Sequence, residues 1–259
     1  MNLHLVRMAV DLSALARTAG DRGWTQGPQS VYDEGASLHH LLGETFGAAE
    51  LQPFRLVVAP RARRGTLYAY SMTEPTALRD LATATATPEV MAALSPERLE
   101  SKMMPETWVT GRRLGIDVRV RPTVRLSSDI FPAEDRRGSR AHGFRRGAEL
   151  DAFLAEALRR PGRDAMEEAG RTRETVYRDW LQGRFGTGAE LENVVMKGFK
   201  RTVSVRKGAA HEGPDVVMHG TLKIADPDIF ASLLCRGIGR HRAYGFGMLL
   251  LRPPTAKEN

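Results

Sequence analysis

The sequence predicts an α+β protein built from two similar halves, and three observations carry that prediction. Short alternating apolar runs recur along the chain in the order strand, helix, strand, strand, helix, strand, once in each half. Gly- and Pro-containing turns separate them. The 259 residues are 42% hydrophobic and 27% charged, enough for one large core or two small ones. That order is the ferredoxin-like (RRM-like) unit, so the expected architecture is two such domains in tandem, residues 1–113 and 114–259. The second is expected to carry an Arg-rich, partly helical insertion at about 127–171.

Leu3 to Val10 reads as the first strand, and Ala19 to Gln29 as a polar, Gly-containing loop. Ser37 to Phe46 reads as a helix with Leu38, Leu41, Leu42 and Phe46 on one face and Gly47 at its end. Pro53 opens a strand over Phe54 to Ala59. Arg61 to Gly65 forms a basic turn, and Thr66 to Met72 returns. Pro75 to Leu81 is a short helix, after which a closing strand is expected. In the second half, Leu114 to Arg121 alternates Ile116, Val118 and Val120 with Asp117, Arg119 and Arg121, which predicts a half-buried strand with its cations on a wet face. Gly147 to Arg160 and Thr172 to Leu181 read as helices. Val203 to Lys207 and Val216 to Ile224 read as strands around a turn at Gly208 to Pro214. Asp226 to Leu234 is a helix and Met248 to Leu251 the last strand. The two halves share a pattern, not a residue-level repeat.

Charge narrows the function classes. Lys and Arg number 38 against 31 Asp and Glu, a net +7, and 32 of the cations are Arg. Codon usage in a GC-rich genome accounts for part of that bias; the clustering accounts for more. Arg55 to Arg64 holds four Arg and no acid, and Lys197 to Lys207 five cations and no acid. Arg112 to Arg125 holds five Arg against Asp117 alone; Arg236 to Arg252 holds four Arg and His241. Guanidinium forks match phosphate oxygens and stack on bases, so several basic segments gathered on one surface would track a nucleic acid. No run approaches the ~18 apolar residues of a membrane helix. Met1 to Asp11 carries His4, Arg7 and Asp11, so no apolar signal segment is expected there. The single Cys235 excludes an internal disulfide and a multi-cysteine zinc site, and suggests a reducing cytoplasm.

The sharpest local signal is Gly237-Ile238-Gly239-Arg240-His241-Arg242-Ala243-Tyr244-Gly245-Phe246-Gly247, between a helix and a strand. Glycines allow close backbone approach and positive φ, and backbone N–H groups with cations suit a phosphodiester. A dinucleotide fold needs strand, Gly-rich turn, then helix; the order here is reversed. A P-loop is excluded because no Gly-Lys-Ser/Thr follows.

This segment resembles the glycine-rich loop of the CRISPR repeat-RNA processing endoribonucleases, the Cas-six group of the RAMP superfamily. The similarity runs from Leu114 to Pro253 and includes Leu114-Gly115-Ile116-Asp117-Val118-Arg119-Val120-Arg121-Pro122, the Trp180 helix and Asp226-Pro227. Before Leu114 it is confined to the strand-loop-helix entry around Leu38-His39-His40. The chain is most similar to the type I-E enzymes, and its Arg-rich insertion and first half point to the type IV-A version. The resemblance implies metal-free cleavage of a repeat hairpin at its 3′ base, without cofactor, by 2′-hydroxyl attack. It also implies retention of the product and entry into an effector complex with other subunits. It places a catalytic histidine at His39 or His40, with His39 the better aligned. A tyrosine often stands three residues earlier in the family, where this chain has Ala36; the nearest tyrosine is Tyr32.

The residues themselves allow that chemistry. A histidine transfers protons near neutral pH, and Arg242 in the loop is placed to stabilise phosphorane charge. The RNA-binding candidates are Arg22, Arg119, Arg121, Arg136, Arg137, Arg140, Arg145, Arg146, Lys200, Arg201, Gly237, Gly239, Arg240, His241 and Tyr244. Three alternatives stand beside metal-free cleavage: a non-cleaving RNA-binding subunit, a general basic RNA chaperone, and a metal-dependent nuclease.

Overall fold

The computed structural model describes residues 2–24, 32–131, 143–160, 164–206 and 209–254. Its elements follow in chain order. The first half holds β1 (His4–Asp11), α1 (Leu12–Asp21), α2 (Glu34–Phe46), β2 (Phe54–Val57), β3 (Arg64–Ser71), α3 (Pro75–Thr85), α4 (Pro88–Leu94) and β4 (Glu100–Met103). The second holds β5 (Arg113–Val120), β6 (Thr123–Arg125), β7 (Glu149–Asp151), α5 (Ala152–Arg159), α6 (Ala165–Glu168) and α7 (Arg173–Phe185). It continues with β8 (Ala189–Leu191), β9 (Val195–Arg206), β10 (Ala209–Ile224), α8 (Pro227–Arg236) and β11 (Leu249–Arg252).

Both halves wind their strands the same way. The first sheet has the order β2-β3-β1-β4; the second has β11-β5-β10-β8, with β9 also on β10. In each, the first strand lies at the centre between the last and the third, the ferredoxin-like arrangement. Val6, Met8 and Val10 of β1 pack on Leu15, Leu38, Leu41, Phe46 and Leu78 of the helices. Ile116, Val118 and Val120 of β5 pack on Tyr177, Leu181, Phe230 and Leu234. Four helices start on carboxylates: Asp11 accepts from the Ser13 and Ala14 N–H groups, Asp33 from Ala36, Asp151 from Phe153, and Asp226 from Asp228 and Ile229.

Four sequence expectations change. Leu12–Asp21 is a helix where a loop was expected to begin at Ala19; the Asp11 cap and the Leu12, Leu15, Ala19 spacing are its signals. Of the turn expected over 208–214, residues 209–214 are strand: Gly213 and Pro214 lie within β10, opposite Thr202 and Arg201, and the hairpin is correspondingly longer, while Gly208 lies outside the described residues. The helix expected from Gly147 starts only at Ala152, because Glu149–Asp151 first pairs with β6. Finally, Arg119 and Arg121 do not lie on a wet face. Arg121 is 4% exposed and Asp117 2% exposed, since the other side of β5 is covered by the first half and by the β9–β10 hairpin.

That cover is the joint between the halves. The Arg55 guanidinium of β2 donates to Asp117 of β5, both buried. Arg252 and His219 reach the second oxygen of Asp117, His219 at 3.1 Å. Tyr70 Oη donates to the Leu249 carbonyl at 2.9 Å. Burial lowers the Arg55 pKa and the Asp117 charge opposes that, so removal of Asp117 would strand a buried cation.

Candidate nucleic-acid interface

The joint brings α2 of the first half against the glycine-rich loop of the second. Gly35 makes the approach possible, because a Cβ there would run into the Tyr244 carbonyl. The loop is folded onto itself: Ile238 N–H donates to the Gly247 carbonyl at 2.8 Å, and Gly247 N–H to the Arg119 carbonyl at 2.7 Å. Gly247 has φ +78, and a Cβ there would collide with the Ile238 carbonyl. Gly237 packs on Pro53 and Gly239 on Trp180. The glycines therefore serve the loop's own closure and its docking on neighbouring elements.

The loop's docking sets a row of rings. His39 lies 5.0 Å from Tyr244 and 5.4 Å from His40, centroid to centroid, and Trp24 stacks on His40 at 5.1 Å. Arg22 lies over Trp24 at 5.5 Å and pairs with Glu44. Of the two histidines, His39 is the one touching the loop; His40 is exposed.

Behind the loop, the predicted cations divide into two groups. Arg119 makes a bidentate pair with the buried Asp215, at 2.8 and 2.7 Å, and lies 4.5 Å from the Phe246 ring. Burial, the largest influence, works against its charge, but the Asp215 hydrogen bonds together with the charges of Asp215, Glu34 and Asp33 raise its pKa. Arg121 donates to the Thr202 carbonyl at 3.0 Å. His241, in the left-handed region at φ +66, bonds Glu149 of β7 at 3.0 Å, and Arg240 bonds the other Glu149 oxygen at 2.6 Å. The His241 bond leads in pulling the Glu149 carboxyl down to about 2; Thr123 and Arg240 reinforce it against burial.

The second group faces solvent. Lys200 is 68% exposed, with Asp215 3.6 Å away. Arg201 pairs with Glu212 at 2.8 Å, both half-exposed, and Arg145 pairs with Asp129 while remaining 80% exposed. Arg146 is also exposed. Arg242 is exposed, and its Nη1 donates to the Arg236 carbonyl at 2.8 Å, closing the C-terminus of α8. Arg136, Arg137 and Arg140 lie outside the described residues.

Two polar cavities adjoin the loop. One, of about 260 Å³, is lined by Arg121, Glu149, Asp151, Ser204 and His241 among others. The other, of about 220 Å³, lies against Tyr244 and the start of α2 and includes Tyr32, Glu34, Arg119, Lys200 and Phe246. Glu34, Glu149, Asp215 and Trp24 were missed in the sequence. Asp33-Glu34 at a helix start was a legible signal; the carboxylates' pairing with distant cations had none. Among the described residues no three His, Cys, Asp or Glu side chains form a metal-binding group, and no helix is long and apolar enough to cross a membrane.

The fold is that of a known class of tandem ferredoxin-like proteins. Residues 3–253 match the family model described as CRISPR associated protein, and the chain belongs to that family. Among solved structures it is similar to Thermus thermophilus Cse3 bound to an RNA representing a pre-cleavage complex. The identity is 18%, the TM-score 0.62, and 98% of this chain and 100% of that one are covered. It is similar to Cas6e from Escherichia coli K-12 at 18% identity, with 96% and 99% of the two chains covered and a TM-score of 0.55. A chain of a CRISPR RNA-guided surveillance complex aligns at 16% identity over 96% and 99%, TM-score 0.53. Comparison with curated protein sequences gave no match.

Proposed function

We propose that this protein is a metal-independent endoribonuclease that binds the CRISPR repeat hairpin, cuts at its 3′ base and stays on the mature RNA as a cytoplasmic effector-complex subunit. The observation that carries the reading is the His39–Tyr244 contact, which unites the histidine helix of one half with the glycine-rich loop of the other. In the reaction the 2′-oxygen bonds to the adjacent phosphorus and the bond from phosphorus to the 5′-oxygen breaks. One proton leaves the 2′-hydroxyl and one reaches the 5′-oxygen, giving a 2′,3′-cyclic phosphate and a 5′-hydroxyl. His39 is the proton-transferring group, with His40 behind it. Arg242 is assigned to phosphorane charge, for which its guanidinium must leave the Arg236 carbonyl.

Residues 1–113 and 114–259 are assigned as the two domains. The exposed Lys200, Arg201, Arg145, Arg146 and Arg240 are assigned to RNA phosphates, together with Arg22 and the insertion's Arg136, Arg137 and Arg140. Arg119, Arg121, Gly237, Gly239, His241 and Tyr244 shape the loop that meets the RNA. The Arg-rich segment 127–171 supports placing the protein with the type IV-A version. The RNA bound by the Thermus relative and the surveillance complex containing another support the two partner classes.

Ala36 favours a second reading, a non-cleaving RNA-binding subunit. Incubation with a labelled repeat hairpin in EDTA decides between them. One cut at the 3′ base with a cyclic-phosphate end is expected; tight binding with no cut would leave the binding subunit.

A further inference from the structure

We infer that the cavity of about 220 Å³ beside Tyr244 is a reading pocket for one unpaired guanine base next to the cleaved phosphate. The inference rests on the RNA-processing reading and adds a base specificity to it. Three properties of the cavity point to this ligand.

Its walls are aromatic. Tyr32, Tyr244 and Phe246 all line it, and Tyr32 is 39% exposed. Planar rings around a space of this size suit a stacked base.

Its polar lining is mixed, with Arg119, Arg121, Lys200 and His241 beside Asp33 and Glu34. Glu34, at the first turn of α2, lines the cavity, and among the described residues its carboxylate has no hydrogen-bond or ion-pair partner. Burial raises its pKa while the charges of Arg119 and Lys200 oppose the rise. A phosphate would use the cations and leave this carboxylate without a donor, whereas a ligand that sets N–H donors beside a carbonyl oxygen would satisfy both. Lys200 faces the same cavity and supplies a donor for a carbonyl oxygen.

Guanine matches that set along its pairing edge. Its N1–H and N2–H₂ groups are adjacent donors for the two carboxylate oxygens, and O6 next to them accepts from an ammonium group. Adenine and cytosine offer one amino group there, and uracil a single N–H. Because Tyr244 touches both this cavity and His39, a base seated here belongs to a nucleotide flanking the reacting phosphate.

The test measures binding of the full chain, in EDTA, to heptauridylates whose central residue is uridine, guanosine, inosine, adenosine or cytidine. The guanosine oligomer should bind about tenfold more tightly than the others. Inosine, which lacks the 2-amino group, should lose most of that preference without any change to the protein. Glu34→Gln should abolish it, with the thermal midpoint recorded to confirm folding. Equal affinity for all five, no measurable binding, or a preference that survives Glu34→Gln would overturn the pocket. A protein that cuts the hairpin yet shows no guanosine preference loses the pocket and keeps the nuclease. One that prefers guanosine but never cuts loses the nuclease and keeps the pocket.

Discussion

The two halves share a strand order and differ in how their central strands use charge. On β1 the residues facing away from the helices are Leu5, Arg7 and Ala9, and Arg7 pairs with Glu100 in solvent. On β5 and just past its end the equivalent residues are Asp117, Arg119 and Arg121, which the joint and the hairpin cover. A buried ion must be paired and hydrogen-bonded: Asp117 holds Arg55 inward and Asp215 holds Arg119, while Arg121 bonds the Thr202 carbonyl. The difference teaches that an arginine count is not a count of RNA contacts. Part of this protein's positive charge holds the halves in register, and that register places His39 against the loop.

The largest effect should come from breaking the joint itself. Asp117→Ala leaves Arg55 buried and uncompensated, and should cost about 3–5 kcal/mol of unfolding free energy in urea titrations. Arg7→Ala on the corresponding strand of the first half should leave the midpoint unchanged, because its pair is exposed. If the two variants behave alike, the contrast between the strands carries no energetic weight.

Next in size is the chemistry that the joint assembles. His39→Ala should lower the cleavage rate by about 10²–10⁴-fold in single-turnover assays while hairpin affinity is kept. His40→Ala should fall well short of that, since His40 reaches Trp24 rather than the loop. A larger loss in the His40 variant would exchange their roles.

Most of the fold was legible because alternation and helical spacing report local burial. Val6-Met8-Val10 and Ile116-Val118-Val120 each revealed one covered face. The same alternation misled at Arg119 and Arg121, because a polar residue opposite an apolar one signals water only when no second layer lies there. Gly213-Pro214 misled for a related reason: the pair reads as a turn locally, but the chain opposite holds it in a strand. At the site, His39 and the glycine loop were visible as separate motifs. Their contact was not, and neither was the Glu149 bond to His241, since both depend on residues distant in sequence.

A smaller effect is expected where the insertion's β7 holds the loop. Glu149→Gln removes the charge that binds His241 and Arg240, and should cost about 1 kcal/mol, discounted because the carboxylate is 32% exposed. Its pKa is depressed in the folded protein, to about 2 from 4.5. The contribution is therefore complete above pH 4.5 and lost as pH falls toward 2. Wild-type and variant stabilities should converge over that window; a constant difference would show that the carboxylate's charge is not what clamps the loop.

The smallest effect sharpens the comparison most directly, because it asks what an exposed cation does that a covered one does not. Lys200 and Arg119 both approach Asp215, but only Lys200 reaches into solvent. Lys200→Ala should reduce the slope of log affinity against log salt by about 0.7–1 for every RNA tested and leave stability alone. Arg119→Ala should do the reverse: the salt slope holds, while the buried Asp215 loses its bidentate partner and the unfolding midpoint drops. If instead both variants lose one counterion's worth of slope, Arg119 reaches the RNA when the complex forms. The hairpin strands must then move off β5 on binding, and the division between inward and outward arginines describes only the RNA-free protein.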